Sequence, residues 1–354
     1  MAALEPTIER DVTLEERPFR LETGGELPEA TLRCAVYGRL EAAPGGVILV
    51  CHALTGSARI ADWWPALVGP GRPLDPTRYA IVGVNVLGSC YGSTGPRTVN
   101  PVTGRPYGAR FPLVTMGDMV RAQRLALRAL GVTRLTAVIG GSIGGMQALR
   151  WATDFPDDLD LCLAIGATPL PAMGLALNHL QRQAIMQDPA WRDGDGCAQP
   201  TAGLALARAI AMCSYKSAAL FDERFGRRPN RSGEDPRATL HGRYDVAGYL
   251  DHQGEKFVRR FDANSYLVLS KAMDTFDLTD AELARIRAHV WLVGLSSDWL
   301  FPAADVRALA ARMRAVNVAV EYAEIITSHG HDGFLAEPDA VAPLLQASLE
   351  KLHA

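Results

Sequence analysis

The segment Gly140-Gly141-Ser142-Ile143-Gly144-Gly145 places a serine between glycines. It follows an apolar, β-branched run (Leu135-Thr136-Ala137-Val138-Ile139) and precedes a helix-like stretch (Met146-Gln147-Ala148-Leu149-Arg150-Trp151). A G-x-S-x-G pentapeptide at a strand–turn–helix junction forms a sharp elbow that presents the serine as a nucleophile. The glycines are needed because neighbouring Cβ atoms would clash on so strained a turn. The helix behind the serine presents its N-terminus, which favours developing negative charge.

A serine hydroxyl attacks near neutral pH only when a neighbouring base takes its proton, and that base must itself be oriented. Two later segments supply the residue types in the order acid, then base. After the apolar run His289–Gly294 comes Leu295-Ser296-Ser297-Asp298-Trp299, which puts Asp298 just past a strand end. After Val318–Ile326 comes Thr327-Ser328-His329-Gly330-His331-Asp332-Gly333-Phe334, so that His329 and His331 both compete for the base role. Asp298 also suits the N-cap of a helix expected over Ala303–Arg314, and the two roles are compatible. An oxyanion hole requires backbone N–H groups aimed at the tetrahedral intermediate. One is expected from Ile143, the residue after the serine. The other is expected from the loop His52-Ala53-Leu54-Thr55-Gly56, at Leu54 with Ala53 as the neighbouring alternative. His52 precedes the acid in the chain and reads as a packing or hydrogen-bonding residue.

The elements that must position these groups are legible as recurring apolar runs: Leu32–Tyr37, Gly46–Cys51, Tyr79–Val86, Leu135–Gly140, Leu159–Ile165, His289–Gly294 and Val318–Ile326. Helical patterns lie between them, for instance over Thr115 to Leu130, which stops at Gly131. Such alternation predicts an α/β fold with a mostly parallel, helix-covered sheet. The rhythm breaks between residues 169 and 280. Helical patterns there (Leu175–Gln187, Ala202–Tyr215, Val246–Phe261, Ser265–Thr275) flank an exposed polar stretch from Arg224 to Arg243. The expected organisation is a core of residues 1–168 and 281–354 with a helical lid, residues 169–280, inserted over the carboxyl edge of the sheet, where open α/β folds place ligands.

Composition narrows the class. The chain has 354 residues, 48% of them hydrophobic, and a net charge of −3, which gives no electrostatic reason to expect a nucleic-acid partner. Residues Met1 to Pro18 lack the basic and apolar regions of a signal peptide. The most apolar stretch, Leu161 to Leu177, is broken by prolines and shorter than a bilayer span. Six scattered cysteines (34, 51, 90, 162, 197 and 213) suggest neither a disulfide framework nor a metal site. A cytoplasmic enzyme without membrane attachment is expected.

Longer strings carry a resemblance. They are Cys51-His52-Ala53-Leu54-Thr55-Gly56, Trp63-Trp64, Asn85-Val86-Leu87-Gly88-Ser89-Cys90-Tyr91-Gly92-Ser93-Thr94-Gly95-Pro96, Pro106-Tyr107-Gly108, Asp118-Met119-Val120 with Ala122-Gln123, Gly140 through Gln147, Arg182-Gln183-Ala184-Ile185, Phe261 through Tyr266, Ser297-Asp298 and Gly330-His331-Asp332. Through these the chain resembles the homoserine O-acetyltransferase family of α/β-hydrolase-fold acyltransferases over nearly its whole length. The resemblance implies an α/β-hydrolase fold and acetyl transfer from acetyl-CoA, a co-substrate with no further cofactor, to the hydroxyl of L-homoserine. It implies a triad of Ser142, Asp298 and His331. It also associates Asp332 with the acceptor's amino group and Tyr215-Lys216 with its carboxylate. The family commonly has arginine at the latter position, and lysine would pair there as a point charge instead of a fork. Family members are commonly dimers through the lid, so a homodimer is expected.

Other readings remain open on sequence. Succinyl-CoA as donor or L-serine as acceptor would use the same chemistry, and Arg59 near the oxyanion loop could receive a succinyl carboxylate. The elbow alone also permits a carboxylester hydrolase. A catalytically dead binding protein is disfavoured, because binding needs none of the three triad residues.

Overall fold

The computed structural model describes residues 3–194, 198–231 and 233–352. An eight-stranded sheet runs through the molecule: β1 (Ile8–Thr13), β2 (Thr31–Tyr37), β3 (Val47–Cys51), β4 (Ala80–Val84), β5 (Leu135–Gly141), β6 (Leu159–Ile165), β7 (His289–Leu295) and β8 (Val320–Ile325). The spatial order is β1-β2-β4-β3-β5-β6-β7-β8. β2 pairs antiparallel with both β1 and β4, and every pair from β4–β3 to β7–β8 is parallel. All seven apolar runs therefore become strands of this sheet. β1 escaped the sequence reading for a physical reason: Ile-Glu-Arg-Asp-Val-Thr buries only Val12. It is a charged edge strand, the kind that blunts a sheet against further pairing.

The parallel strands β3 to β7 bury both faces, so their sequences read as continuous apolar runs, whereas β8 at the edge is only half-buried. Along β3, Ile48 and Val50 enter one apolar layer while Leu49 and Cys51 enter the other. The layer on the Leu49 side is closed by α1 (Met116–Ala129) and α2 (Ile143–Asp154). α1 starts where Thr115 and Asp118 form a reciprocal capping box, Asp118 N donating to Thr115 Oγ1 at 3.1 Å and Thr115 N to Asp118 Oδ2 at 3.0 Å.

Between β6 and β7 the chain leaves the sheet through α3 (Ala172–Met186), α4 (Thr201–Tyr215), α5 (Ala218–Arg224), α6 (Asp245–Val258) and α7 (Ala263–Asp274). The four helical patterns of this region become α3, α4, α6 and α7. The seven residues of α5 are too few to show a period. Ile185, Leu204, Phe257, Phe261 and Tyr266 from the excursion join the same apolar layer as α1 and α2. α8 (Ala303–Ala315) covers the sheet after β7, and α9 (Pro338–Glu350) contributes Val341 and Leu345 to the opposite layer. Among the described residues no single helix is long and apolar enough to cross a membrane. Cys34, Cys51, Cys90, Cys162 and Cys213 are free thiols, and Cys197 lies outside the described residues.

One buried polar chain fixes α2 against α1. Trp151 Nε1 donates to Gln123 Oε1 at 2.8 Å, Gln123 Nε2 donates to Gln147 Oε1 at 2.7 Å, and Gln147 Nε2 donates to Ile143 O at 3.2 Å, in the first turn of the helix behind the serine. Gln123 and Gln147 are both fully buried. Gln123→Ala strands the indole N–H and the Gln147 carbonyl without partners, and each orphaned group costs about 1–3 kcal/mol. A lowered urea midpoint with an unchanged denaturant slope is the expected result; an unshifted midpoint would refute the role given to this network.

Candidate active site

Ser142 has φ 59 and ψ −130, and it is one of the few non-glycine residues in the left-handed region. It sits between the last residue of β5 and the first of α2, with its N–H bonded to Ile165 O at 2.9 Å. The elbow is this tight because its glycines allow it. A Cβ on Gly140 would stand 2.3 Å from the Gly144 carbonyl, and one on Gly144 would stand 2.2 Å from Cys51 O. Any side chain at either position would push α2 away from β3 or open the turn.

Asp298 follows β7 and His331 follows β8, neighbouring parallel strands, so both residues emerge at the same sheet edge. His331 Nδ1 lies 2.6 Å from Asp298 Oδ2, with side chains 4% and 0% exposed. Asp298 Oδ1 accepts from Leu300 N and Phe301 N, each at 2.9 Å. The carboxylate therefore caps its own turn; the N-cap of α8 is Pro302. Two serines bind the loops together. Ser296 Oγ accepts from Thr327 N at 3.0 Å and donates to Thr327 O at 3.2 Å, while Ser297 Oγ accepts from Gly330 N at 3.0 Å.

An ionised carboxylate only accepts hydrogen bonds, so the shared proton belongs to His331 Nδ1 and its Nε2 presents a lone pair. That Nε2 is buried and has no hydrogen-bond partner among the described residues. Ser142 and His331 line one cavity of about 70 Å³, together with Leu54, Arg208, Tyr215 and Asp332. The rings of Phe301, Phe334 and Tyr215 surround the imidazole at 5.0, 5.7 and 6.0 Å. Burial opposes the imidazolium, but the Asp298 carboxylate, by charge and hydrogen bond, and Asp332 beyond it hold His331 above its ordinary pKa.

The competing histidines occupy different surroundings. His329 Nδ1 is bonded to Glu337 in a brace across its own loop, and it does not line the cavity with Ser142. His52 is buried and held at both ends. Nδ1 donates to Ala53 O at 2.8 Å and Nε2 accepts from Val86 N at 3.1 Å, which fixes a neutral tautomer, and burial lowers its pKa to about 4. It ties the loop after β3 to the loop after β4. Ile143 opens α2, where an amide has no intrahelical acceptor, and Leu54 stands across the cavity. Neither amide donates to a protein acceptor among the described residues.

Lys216 and Asp332 are not independent ligand contacts in this structure. Lys216 Nζ lies 3.0 Å from Asp332 Oδ2, and Lys216 does not line the cavity. The cation that does is Arg208, which has no carboxylate partner among the described residues; its guanidinium lies over the rings of Tyr215 and Phe257 at 5.6 and 5.1 Å. The sequence reading passed over Arg208, yet it is the one charged residue in the otherwise apolar α4 and sits two turns before Tyr215. Arg59 is saturated by Glu5, Glu9 and Asp62 at 2.6, 2.8 and 3.0 Å. A separate hollow of about 890 Å³ near Arg105 and Trp191 contains none of Ser142, Asp298 and His331.

Residues 46–338 match the family model described as alpha/beta hydrolase fold. The homoserine O-acetyltransferase of Moorella thermoacetica is 45% identical, the match covering 95% of this chain and 94% of that one. The chain belongs to the homoserine O-acetyltransferase family. Its fold superposes on the crystal structure of homoserine O-acetyltransferase from Bacillus anthracis with a TM-score of 0.88, covering 97% of this chain and 98% of that one at 23% identity. Esterase E22 superposes about as well, with a TM-score of 0.87, 97% and 100% coverage and 23% identity. The backbone alone thus fits transferases and hydrolases alike, and side chains in the cavity must separate them.

Because the base must be neutral at Nε2, activity should fall with acid as His331 becomes protonated. With its pKa raised, the acid limb of kcat/KM is expected above the ordinary imidazole value of about 6.5. A pH–rate profile measures this, and an acid limb centred below that value would contradict the electrostatic assignment.

Proposed function

We propose that this protein transfers an acetyl group from acetyl-CoA to the side-chain hydroxyl of L-homoserine through an acyl-serine. Ser142 Oγ attacks the thioester carbonyl while His331 Nε2 takes its proton, and the amides of Leu54 and Ile143 hold the oxyanion. The C–S bond breaks and His331 returns the proton to the departing CoA sulfur. His331 then takes the proton of the homoserine hydroxyl, whose oxygen attacks the acyl carbon. Collapse of the second intermediate gives O-acetylhomoserine and restores the Ser142 hydroxyl. Asp298 keeps the imidazole in one tautomer and stabilises its cationic form throughout.

The observation that carries this reading is a pair of opposite charges beside the nucleophile: Arg208 and Asp332 both line the cavity of Ser142 and His331. An amino-acid acceptor is a zwitterion, and a cation with a carboxylate on one wall complements it, whereas a simple ester calls for neither. Arg208 takes the α-carboxylate as a fork, Asp332 takes the α-ammonium, and Lys216 neutralises Asp332 between turnovers. Acetyl is favoured over succinyl because Arg59 is already committed to three carboxylates.

The excursion over residues 169–280 serves as the lid. Met173 and Leu180 lie seven positions apart on α3 and are 57% and 53% exposed, with Leu206 on α4 at 55%. These exposed apolar side chains of the excursion support a homodimer through the lid. Leu180→Asp combined with Leu206→Asp should convert a dimer to a monomer in sedimentation equilibrium, and a wild-type monomer would refute it. A cytoplasmic enzyme that needs no cofactor beyond its acyl-CoA substrate completes the reading.

The decisive assay follows thiol release. Acetyl-CoA with L-homoserine should release CoA at least tenfold faster than acetyl-CoA alone, and faster than succinyl-CoA or L-serine in their places. Equal release with and without an acceptor would identify a hydrolase. Ser142→Ala and His331→Ala are expected to abolish turnover in folded protein, whereas His329→Ala should cost less than tenfold; an active Ser142→Ala variant would overturn the mechanism.

A further inference from the structure

Outside the cavity of Ser142 opens a vestibule of about 720 Å³, which shares Thr55, Arg208 and Asp332 with it. Its charges divide unevenly. The carboxylates on its wall are each matched: Glu9 and Asp62 lie 2.8 and 3.0 Å from Arg59, and Asp332 lies 3.0 Å from Lys216. Arg33 and Arg59 are spent on these and other acids, Arg33 pairing with Asp11 and Glu9. Two lining arginines have no carboxylate partner among the described residues, Arg208 at the cavity and Arg260 in the outer vestibule.

Arg260 lies between α6 and α7 and is exposed. Its side chain reaches across to the core. Nη1 donates to Thr55 O at 2.9 Å and to Tyr91 Oη at 2.8 Å, Nη2 donates to Thr55 Oγ1 at 3.2 Å, and the guanidinium lies over the Phe257 ring at 5.2 Å. Both hydroxyls accept from the arginine, so each keeps its own proton to donate outward. The result is a cluster of donors, one of them cationic, with no anion among its partners. A cation held beside hydroxyl protons matches phosphate oxygens.

We propose that Arg260, with Tyr91 and Thr55, is the phosphate-recognition site for the acyl donor. The assignment rests on the acyl-CoA reading above and deepens it. The inner unmatched arginine would read the acceptor's single carboxylate and the outer one the donor's phosphates, so the two substrates are distinguished by depth. The phosphate could be the donor's pyrophosphate or its ribose 3′-phosphate, which are the same chemistry at different distances from the thioester.

The test compares donors in steady-state kinetics with L-homoserine as acceptor: acetyl-CoA, acetyl-3′-dephospho-CoA and S-acetylpantetheine, which has no phosphate. Arg260→Gln removes the charge yet can still donate to Thr55 O, and Arg260→Ala removes both. Each should raise KM for acetyl-CoA about tenfold relative to KM for S-acetylpantetheine, the scale of one lost charge-assisted hydrogen bond. Each should also flatten the rise of the acetyl-CoA KM with ionic strength. Arg259→Ala, one position earlier and outside the vestibule lining, is the charge control. A selective effect that persists with the dephospho donor assigns the pyrophosphate, and one that disappears assigns the 3′-phosphate. Equal losses for all three donors would show a lid latch without phosphate recognition and overturn the proposal, as would no change. Wild-type protein that releases no CoA would overturn the acyl-CoA reading and this site with it, whereas normal wild-type turnover without the selective KM effect overturns this site alone.

Discussion

The 2.6 Å hydrogen bond between His331 Nδ1 and Asp298 Oδ2 fixes which ring nitrogen holds the proton, and the rest of the site depends on that. With the proton there, the buried Nε2 is an acceptor facing the cavity of Ser142; with the other tautomer the same ring would be a donor and useless as a base. A hydrogen bond this specific needs two loops kept in register. The parallel pairing of β7 and β8 brings them side by side, and Ser296 and Ser297 pin one to the other. Ser142 reaches the same sheet edge from another strand, as a left-handed residue between β5 and α2 that only glycine neighbours permit. Sheet, elbow and serine clips together bring three separated residues to one sheet edge, His331 bonded to Asp298 and sharing a cavity with Ser142.

The sheet was largely legible because parallel strands buried on both faces have apolar sequences with little ambiguity. β1 was not, since an edge strand with five of six residues exposed looks like any polar segment. Ser142, Asp298 and His331 were legible through their order along the chain and their placement after strands, although choosing His331 over His329 required the resemblance. Their surroundings make the distinction physically: His331 is enclosed by aromatic rings, while His329 is tied to Glu337 at the loop surface. Charge pairing was the least legible property. Nothing local in the sequence says that Lys216 is engaged by Asp332, that Arg59 collects three carboxylates or that Arg208 collects none, because these pairings join residues up to 116 positions apart.

These pairings sort the cations around the vestibule into structural ones and available ones. Ion pairs at partly exposed sites add little net stability. Their larger effect here is to cancel the wall's acidic groups, leaving uncompensated positive charge at two depths. The fold is shared with esterase E22, and such folds support different reactions through the side chains grafted on them. In this site Arg208 and Asp332 line the cavity of Ser142 and His331, the carboxylate paired with Lys216 and the guanidinium without a carboxylate partner among the described residues.

Lys216 and Ser217, which follow α4, are joined to the loops of Asp298 and His331. Ser217 donates to Ser328 O, the indole of Trp299 donates to Lys216 O at 3.2 Å, and Gly330 lies so close to Ser217 that a Cβ there would stand 2.7 Å from its amide. The helical excursion is therefore not a detachable cover. The arginine that would recognise the acceptor and the imidazole that would deprotonate it travel on one mechanical body, so any tilt of α4 displaces the proton acceptor as well. Evolution, or an engineer grafting a foreign excursion onto this sheet, would have to exchange residues 327–334 along with it, and acceptor preference and turnover rate would then be inherited as a pair.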